Sequence, residues 1–204
     1  MLKYSFYKTV REFMITAGQP VDGDDLSPEN IQLRNDLFHE ELSELREAIG
    51  AGDRILQLDA IIDLLYIIGG TAVTYVYENL DNRIDDALRL AMPNNDTQAE
   101  LINISFAAEA YQYSVNTLNS IMVVAKNLGF TSPQIFEGFK RVHESNMTKF
   151  CRTKREAKNT LFDYIEKGIE CTWIERNGLY VVVRNDGKIL KSSYYNPVIL
   201  EDIV

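Results

Sequence analysis

Four carboxylates stand at spacings that suit cation chemistry: Glu41 and Glu44 in "LFHEELSELREAI", and Asp59 and Asp63 in "LQLDAIIDLLYIIGG". Members of each pair are three or four residues apart, so on a helix they lie one turn apart on one face. In the first stretch Phe38, Leu42, Leu45 and Ile49 form a core-facing stripe, and beside it runs a second line, Leu37, Glu41, Glu44 and Ala48, apolar at its ends and acidic at its centre. Glu40 lies at the edge of that line, and Glu47 points further away as an ordinary solvated charge. The second stretch is apolar nearly all round, the mark of a buried helix, where two unpaired carboxylates are costly. No lysine or arginine occurs between Ile55 and Glu78, so compensation must come from elsewhere: a basic side chain, a proton shared between acids, or a metal ion. Four or five oxygen ligands without histidine or cysteine suit a hard cation such as Mg²⁺ or Mn²⁺. Such an ion commonly keeps positions for water and substrate phosphates, which points to phosphate chemistry. A solvated acidic face and a purely structural cluster are the alternatives. A di-iron bundle expects a Glu-x-x-His pair on each of two helices, and neither His39 nor His143 follows a glutamate by three.

A second group is basic. "VHESNMTKF" carries Asn146 and Lys149 at i, i+3, followed by Arg152, Lys154 and Arg155. This compact cluster either complements a helix C-terminus or grips phosphate oxygens. His143 reads as a packing histidine rather than a general base.

The elements that must position these groups can be located from their punctuation. Gly18 follows a first helix, Ser27 and Pro28 open a second that Gly50 and Gly52 stop, and a third runs from about Arg54 to Glu78. The short "GAGD" turn makes the second and third antiparallel, bringing Glu41 and Glu44 opposite Asp59 and Asp63. Pro93 breaks an acidic stretch, and Thr97 with Glu100 is a capping-box signature for one long helix to about Leu128. Ser132 and Pro133 open a last core helix to about Met147, for five or six helices in all. Beyond residue 160, alternating β-branched and aromatic residues around Asn177-Gly178 and Asp186-Gly187 predict a three-stranded meander, too small to stand alone and therefore packed on the helices. The expected fold is mainly α: a helical domain over residues 1–158 and a small β extension over residues 159–204.

The 204 residues carry a net charge of −9, which argues against a nucleic-acid-binding surface. Two cysteines, Cys151 and Cys171, give no disulfide framework, and the N-terminus lacks a signal-peptide core; both favour a cytoplasmic protein. The apolar run over residues 64–77 is too short to span a bilayer, so no membrane association is expected.

Glu40-Glu41-x-x-Glu44, then Asp59 and Asp63 in "DAIIDLLYIIGGTA", then "VHESNMTKF", resembles the all-α nucleoside triphosphate pyrophosphohydrolases, the MazG-like and phosphoribosyl-ATP pyrophosphohydrolase-like superfamily. "VREFMITAGQPV" looks like the family's N-terminal helix, and "DGKILKSSYYNPVIL" like the C-terminal extension of a bacterial and viral subgroup. The resemblance implies a helical bundle that cleaves a (deoxy)nucleoside triphosphate or related nucleotide between its α and β phosphates, using Mg²⁺, with Mn²⁺ as the alternative ion. It implies metal ligands at Glu41, Glu44 and Asp63, and Glu40 either on a further metal or orienting the attacking water. Asn146 and Lys149 would face the phosphates, with Lys154 in the same basic cluster, and the assembly would be a homodimer or tetramer. Two departures stand out. The second motif is usually Glu-x-x-Asp, and here the glutamate position is Ala60, with Asp59 one residue earlier as its replacement. Residues 79–115 look like an insertion. A relative that binds a nucleotide or a partner without turnover is the alternative reading. Tyr66, Tyr75 and the meander are the candidates for base recognition.

Overall fold

The computed structural model describes residues 5–76, 79–109, 115–185 and 187–204. Helix α1, Phe6–Ala17, is capped by the Ser5 side chain and ends at Gly18 in the left-handed region, φ 72°. Helix α2, Pro28–Ala51, starts at Ser27 with Pro28 in its first turn, runs through Gly50, and stops at Gly52, φ 68°. The Gly52 and Asp53 N–H groups donate back to Ile49 and Ala48 at 3.1 Å. Asp53 then caps α3, Arg54–Thr74, by accepting from the Ile55 and Leu56 amides. Three consecutive residues thus end one helix, reverse the chain and begin the next, so α2 and α3 form a tight antiparallel hairpin.

Helix α3 is the centre of the molecule. It packs on α1, α2, α6 and α7, and Leu58, Ile61, Ile62, Leu64 and Leu65 are fully buried. Its length and apolarity match those of a membrane span, but most of its surface is covered by neighbouring helices. The predicted stripe of α2 meets it: Phe38, Leu42 and Leu45 are fully buried, with Ile49 at the margin. Two glycines allow close approach on α3. A Cβ at Gly69 would come within 2.8 Å of Val10 Cγ2 on α1, and one at Gly70 within 2.5 Å of the Arg34 guanidinium on α2.

Several boundaries differ from expectation. Helix α3 ends at Thr74, with Val76 at φ 62°; the expected end, Glu78, lies outside the described residues. The single long helix expected from residue 97 is two, α5, Thr97–Glu109, and α6, Val115–Asn127, packed on each other. One straight helix of that span would be about 48 Å long and could not bury both Leu101 and Ile104 at one end and Ile121 and Met122 at the other in one small core. Residues 79–115 include α4, Leu80–Leu90, and α5, which pack on α1, α2 and α6 as parts of the bundle. Helix α7, Ser132–Met147, has Thr131 rather than Ser132 as its cap, in a capping box with Gln134.

An eighth helix, α8, Lys154–Glu166, opens at Thr153 and runs through the expected 158/159 boundary. Strands β1, Cys171–Arg176, and β2, Leu179–Arg184, pair through Asn177 and Gly178, both at positive φ, as the Asn-Gly signal predicts. The expected third strand is reduced to one bridge between Val183 and Ile189, and Asp186 lies outside the described residues. Beyond that bridge the chain leaves the sheet, because Ser192 bonds to the loop after α7 and Tyr195 turns back on Ser192. The β unit packs on α1 and α8 as expected: Cys151 and Tyr180 exchange two backbone hydrogen bonds at 2.8 Å, and Val181 is buried against Ala17 and Phe150.

Candidate active site

Register along the α2–α3 hairpin decides which acids meet. Gln57 Nε2 donates to the Ala48 carbonyl at 3.2 Å on one side, and Arg34 lies against Gly70 on the other. Between these contacts, Glu41 and Glu44 fall opposite Asp63 and Asp59. Their electrostatics report the grouping. Burial, then Glu44, Glu40 and Asp59, push the Glu41 carboxyl up to about 7, against a smaller downward pull from Lys149. Asp59 is raised by burial and by Glu44. Asp63 is raised well above the carboxylate range, chiefly by burial, with Asp59, Glu41 and Glu44 adding to it and Lys149 opposing.

One oxygen in this group is conspicuous. Glu41 Oε2 is buried and has no hydrogen-bond partner among the described residues. A buried acceptor left unpaired costs free energy, and lone pairs of this kind are satisfied by a proton or by a cation. Glu40 and Glu44, by contrast, are exposed and able to swing toward a shared ligand. As they stand, no three or more acid, histidine or cysteine side chains among the described residues are closed into a ready metal cage. The donor set fits a hard divalent cation in kind: all oxygen, with Glu41, Asp59 and Asp63 half-buried and raised in pKa and Glu40 and Glu44 exposed at the rim. Ala60, at the position where the resembling family has glutamate, is buried in the core, so its side chain offers nothing to this group, whereas Asp59 interacts with Glu41, Glu44 and Asp63.

The basic residues divide. Lys149, just past α7, reaches the acids: burial lowers its pKa, while Asp63 and Glu41 pull it back up. Its ammonium also stands 5.9 Å from the Phe13 ring centroid. Asn146 occupies the turn before it, and its carbonyl accepts the Lys149 N–H at 3.0 Å. Lys154 is exposed at the first position of α8, over the Trp173 ring at 5.3 Å, so it belongs to a helix N-terminus and not to the end of α7. His143 is bonded through Nδ1 to the Tyr66 hydroxyl at 3.0 Å, and burial lowers its pKa. Tyr66 itself is only 8% exposed and packs on Phe13 and Phe139, which makes it a core residue rather than a surface for a base. Lys191, from the tail after β2, approaches Lys149. Nothing in the pattern of "GKILKSS" distinguishes it from any exposed lysine, so sequence reasoning passes over it.

A cleft of ≈ 590 Å³ opens elsewhere, between α7 and the C-terminal tail, with Arg141, Thr148, Arg152 and Asn196 among its lining residues and none of the four central acids.

An all-α bundle of this kind, with acids on a central helical hairpin and a small C-terminal β unit, is consistent with the all-α nucleoside triphosphate pyrophosphohydrolase superfamily. Residues 10–81 match the phosphoribosyl-ATP pyrophosphohydrolase family. That span runs from α1 into α4 and contains Glu40, Glu41, Glu44, Asp59 and Asp63, while Asn146, Lys149 and Lys154 lie beyond it. The match points to a hydrolase in general terms. An uncharacterized protein of Acanthamoeba polyphaga mimivirus is similar along nearly the whole chain, 28% identical over 95% of this chain and 93% of its own length. No solved structure matches the chain.

Proposed function

We propose that the chain is a Mg²⁺-dependent nucleotide pyrophosphohydrolase that cleaves a (deoxy)nucleoside triphosphate or a related nucleotide between its α and β phosphates, giving a monophosphate and pyrophosphate. The observation that carries this reading is the unpaired, buried Glu41 oxygen amid Glu44, Asp59 and Asp63, with Lys149 as the facing cation. Glu41, Glu44, Asp59 and Asp63 would hold the ion, which supplies charge neutralisation for the phosphates and acidifies water when bound.

The protein's own groups account for the remaining steps. Glu40, exposed at the rim, orients a water toward the α phosphorus and accepts its proton. As the bond to the bridging oxygen breaks, the charge that grows on the leaving pyrophosphate is met by Lys149, with Asn146 beside it. Burial of Lys149 strengthens that contact, because the surroundings screen it less than water would. A homodimer or tetramer forms part of the same reading and is tested by the mass in solution.

Incubation with a panel of NTPs, dNTPs and guanosine tetraphosphate, with and without Mg²⁺, tests the proposal. The expected products are a nucleoside monophosphate and pyrophosphate from at least one member, only with the metal. Absence of both across the panel counts decisively against it.

A second reading is favoured by Ala60, which removes one expected carboxylate. In it, the chain binds a nucleotide or a protein partner without turnover, and calorimetry would show tight binding to a nucleotide that remains intact.

A further inference from the structure

The segment after β2 brings a second cation up to Lys149 from outside the matched residues. The Leu190 N–H donates to the Val182 carbonyl at 2.9 Å, which keeps the chain on the sheet, and the Ser192 N–H donates to the Lys149 carbonyl at 3.1 Å, which ties it to the loop after α7. Lys191 sits between these two anchors. Its own carbonyl accepts from the Tyr164 hydroxyl at 3.0 Å, and the Ser193 N–H donates to Thr160 Oγ1 at 3.0 Å. Ser192 is buried, and its hydroxyl accepts from the Tyr194 N–H at 3.1 Å and from the Cys151 thiol at 3.5 Å. The backbone of Lys191 is therefore held on both sides while its side chain stays exposed, with the ammonium over the Tyr195 ring at 4.6 Å.

This scaffold places Lys191 where its charge opposes that of Lys149. Two like charges held together by neighbouring backbone bonds are unfavourable unless an anion lies between or beside them. Lys149 feels the attraction of Asp63 and Glu41, and among the described residues neither lysine closes an ion pair. An acidic chain with 30 Asp and Glu residues had abundant means of pairing Lys191. The unused charge faces outward, next to the cation that faces the acids.

We propose that Lys191 is a phosphate-binding residue: with Lys149 it forms a two-cation grip for the phosphates beyond the scissile bond, so that the C-terminal extension selects a triphosphate over a diphosphate. The inference rests on the reading of the Glu41–Asp63 group as the site of pyrophosphate-bond hydrolysis. Lys149, against those acids, takes the phosphate next to the bond that breaks. Lys191, further out and solvent-facing, takes the one after it, which a diphosphate lacks.

The test compares the wild type with Lys191→Gln and Lys191→Arg on a nucleoside triphosphate and the matching diphosphate. Loss of one charge-assisted contact predicts a KM for the triphosphate raised roughly tenfold in Lys191→Gln, with kcat unchanged and the diphosphate unaffected. Lys191→Arg retains the triphosphate preference. A purely structural lysine would leave the KM ratio of the two substrates unmoved, and that result overturns the proposal. Calorimetry with inorganic triphosphate separates it from the hydrolase reading. If the wild type turns over no nucleotide yet binds triphosphate more tightly than Lys191→Gln does, the grip stands and the hydrolase reading falls. If wild type and variant bind triphosphate alike, or neither binds, the grip is refuted even where turnover is seen.

Discussion

Lys149, just past α7, stands against Asp63 of α3, and burial outweighs their attraction on both sides: Asp63 remains well above the usual carboxylate range and Lys149 below its own ordinary value. The pair is thus not a relaxed salt bridge but two groups held in poor solvation near further acids. Such an arrangement gains when a divalent cation or a phosphate arrives, because either one supplies what burial has removed.

Stability should therefore fall with rising pH in the metal-free protein and resist that fall when metal is present. The Glu41 carboxyl lies at about 7 in the folded protein against 4.5 as its ordinary value, so the folded state binds the proton more tightly than the unfolded chain does. Its contribution is fully present below 4.5 and is lost as pH rises through about 7; the raised Asp59 and Asp63 act with the same sign. Asp22 and Asp202, lowered by hydrogen bonds to Arg11 and Arg141, act oppositely, with stability present above 3.8 and lost as pH falls below it. Thermal unfolding of the metal-free protein between about pH 5 and pH 8 should show a falling midpoint. Excess Mg²⁺ should restore it, most at the alkaline end where it no longer competes with protons. A Mg²⁺ effect that is flat across this range would remove the Glu41–Asp63 group as its site.

Neutral isosteres at the same positions should separate stability from activity. Glu41→Gln and Asp63→Asn replace a half-buried carboxyl by an amide of the same shape, so the metal-free protein at pH 8 should unfold at an equal or higher temperature than the wild type. Nucleotide turnover should fall by about 10³-fold or more, since a ligand of the reacting centre is gone. Retained turnover in either variant would assign that acid to structure alone.

The Tyr66–His143 bond should be structural. Tyr66→Phe removes a hydroxyl bonded at 3.0 Å and leaves His143 Nδ1 without that partner, at a cost of about 1 kcal/mol in chemical unfolding. KM and kcat for the preferred nucleotide should stay within about twofold, because a change that touches no transition-state contact leaves both parameters in place.

Close packing of α1 on α3 gives the sharpest stability prediction. Gly69→Ala gains up to about 1 kcal/mol in helix propensity, yet its methyl would meet Val10 Cγ2 at 2.8 Å and Val10 Cβ at 3.4 Å. Valine is stiff at χ1 and cannot swing away, so overpacking of about 1–3 kcal/mol should dominate and the variant should be less stable. The double variant Gly69→Ala, Val10→Ala should recover part of the loss, which a denaturant midpoint would show.

Much of this architecture is legible in local residue patterns. Ser27-Pro28, Gly52-Asp53 and Asn177-Gly178 mark their helix ends and hairpin because capping and turn conformations depend on a few adjacent side chains. The stripe of Phe38, Leu42 and Leu45 is buried as its period requires, and the acids flanking it are brought opposite Asp59 and Asp63 because the connecting turn leaves no other register. Patterns failed where the outcome depended on distant packing. Nothing between residues 97 and 128 signals that the helix divides into α5 and α6, since that follows from the size of the core they share. The sequence pattern places Lys154 and Arg155 in a basic cluster following the last core helix, whereas Thr153 caps a separate helix, α8, that docks on the strands.

The sequence by itself determined the helical class, the α2–α3 hairpin and the identity of the four central acids, because each rests on spacing within a few turns of chain. Tertiary structure decided that Glu41 is half-buried with one buried oxygen unpaired while Glu40 and Glu44 stay in solvent, that Tyr66 belongs to the core, and that Lys149 and Lys191 converge from different elements. Solvation and long-range proximity set these properties, and both depend on which surfaces the whole fold brings together.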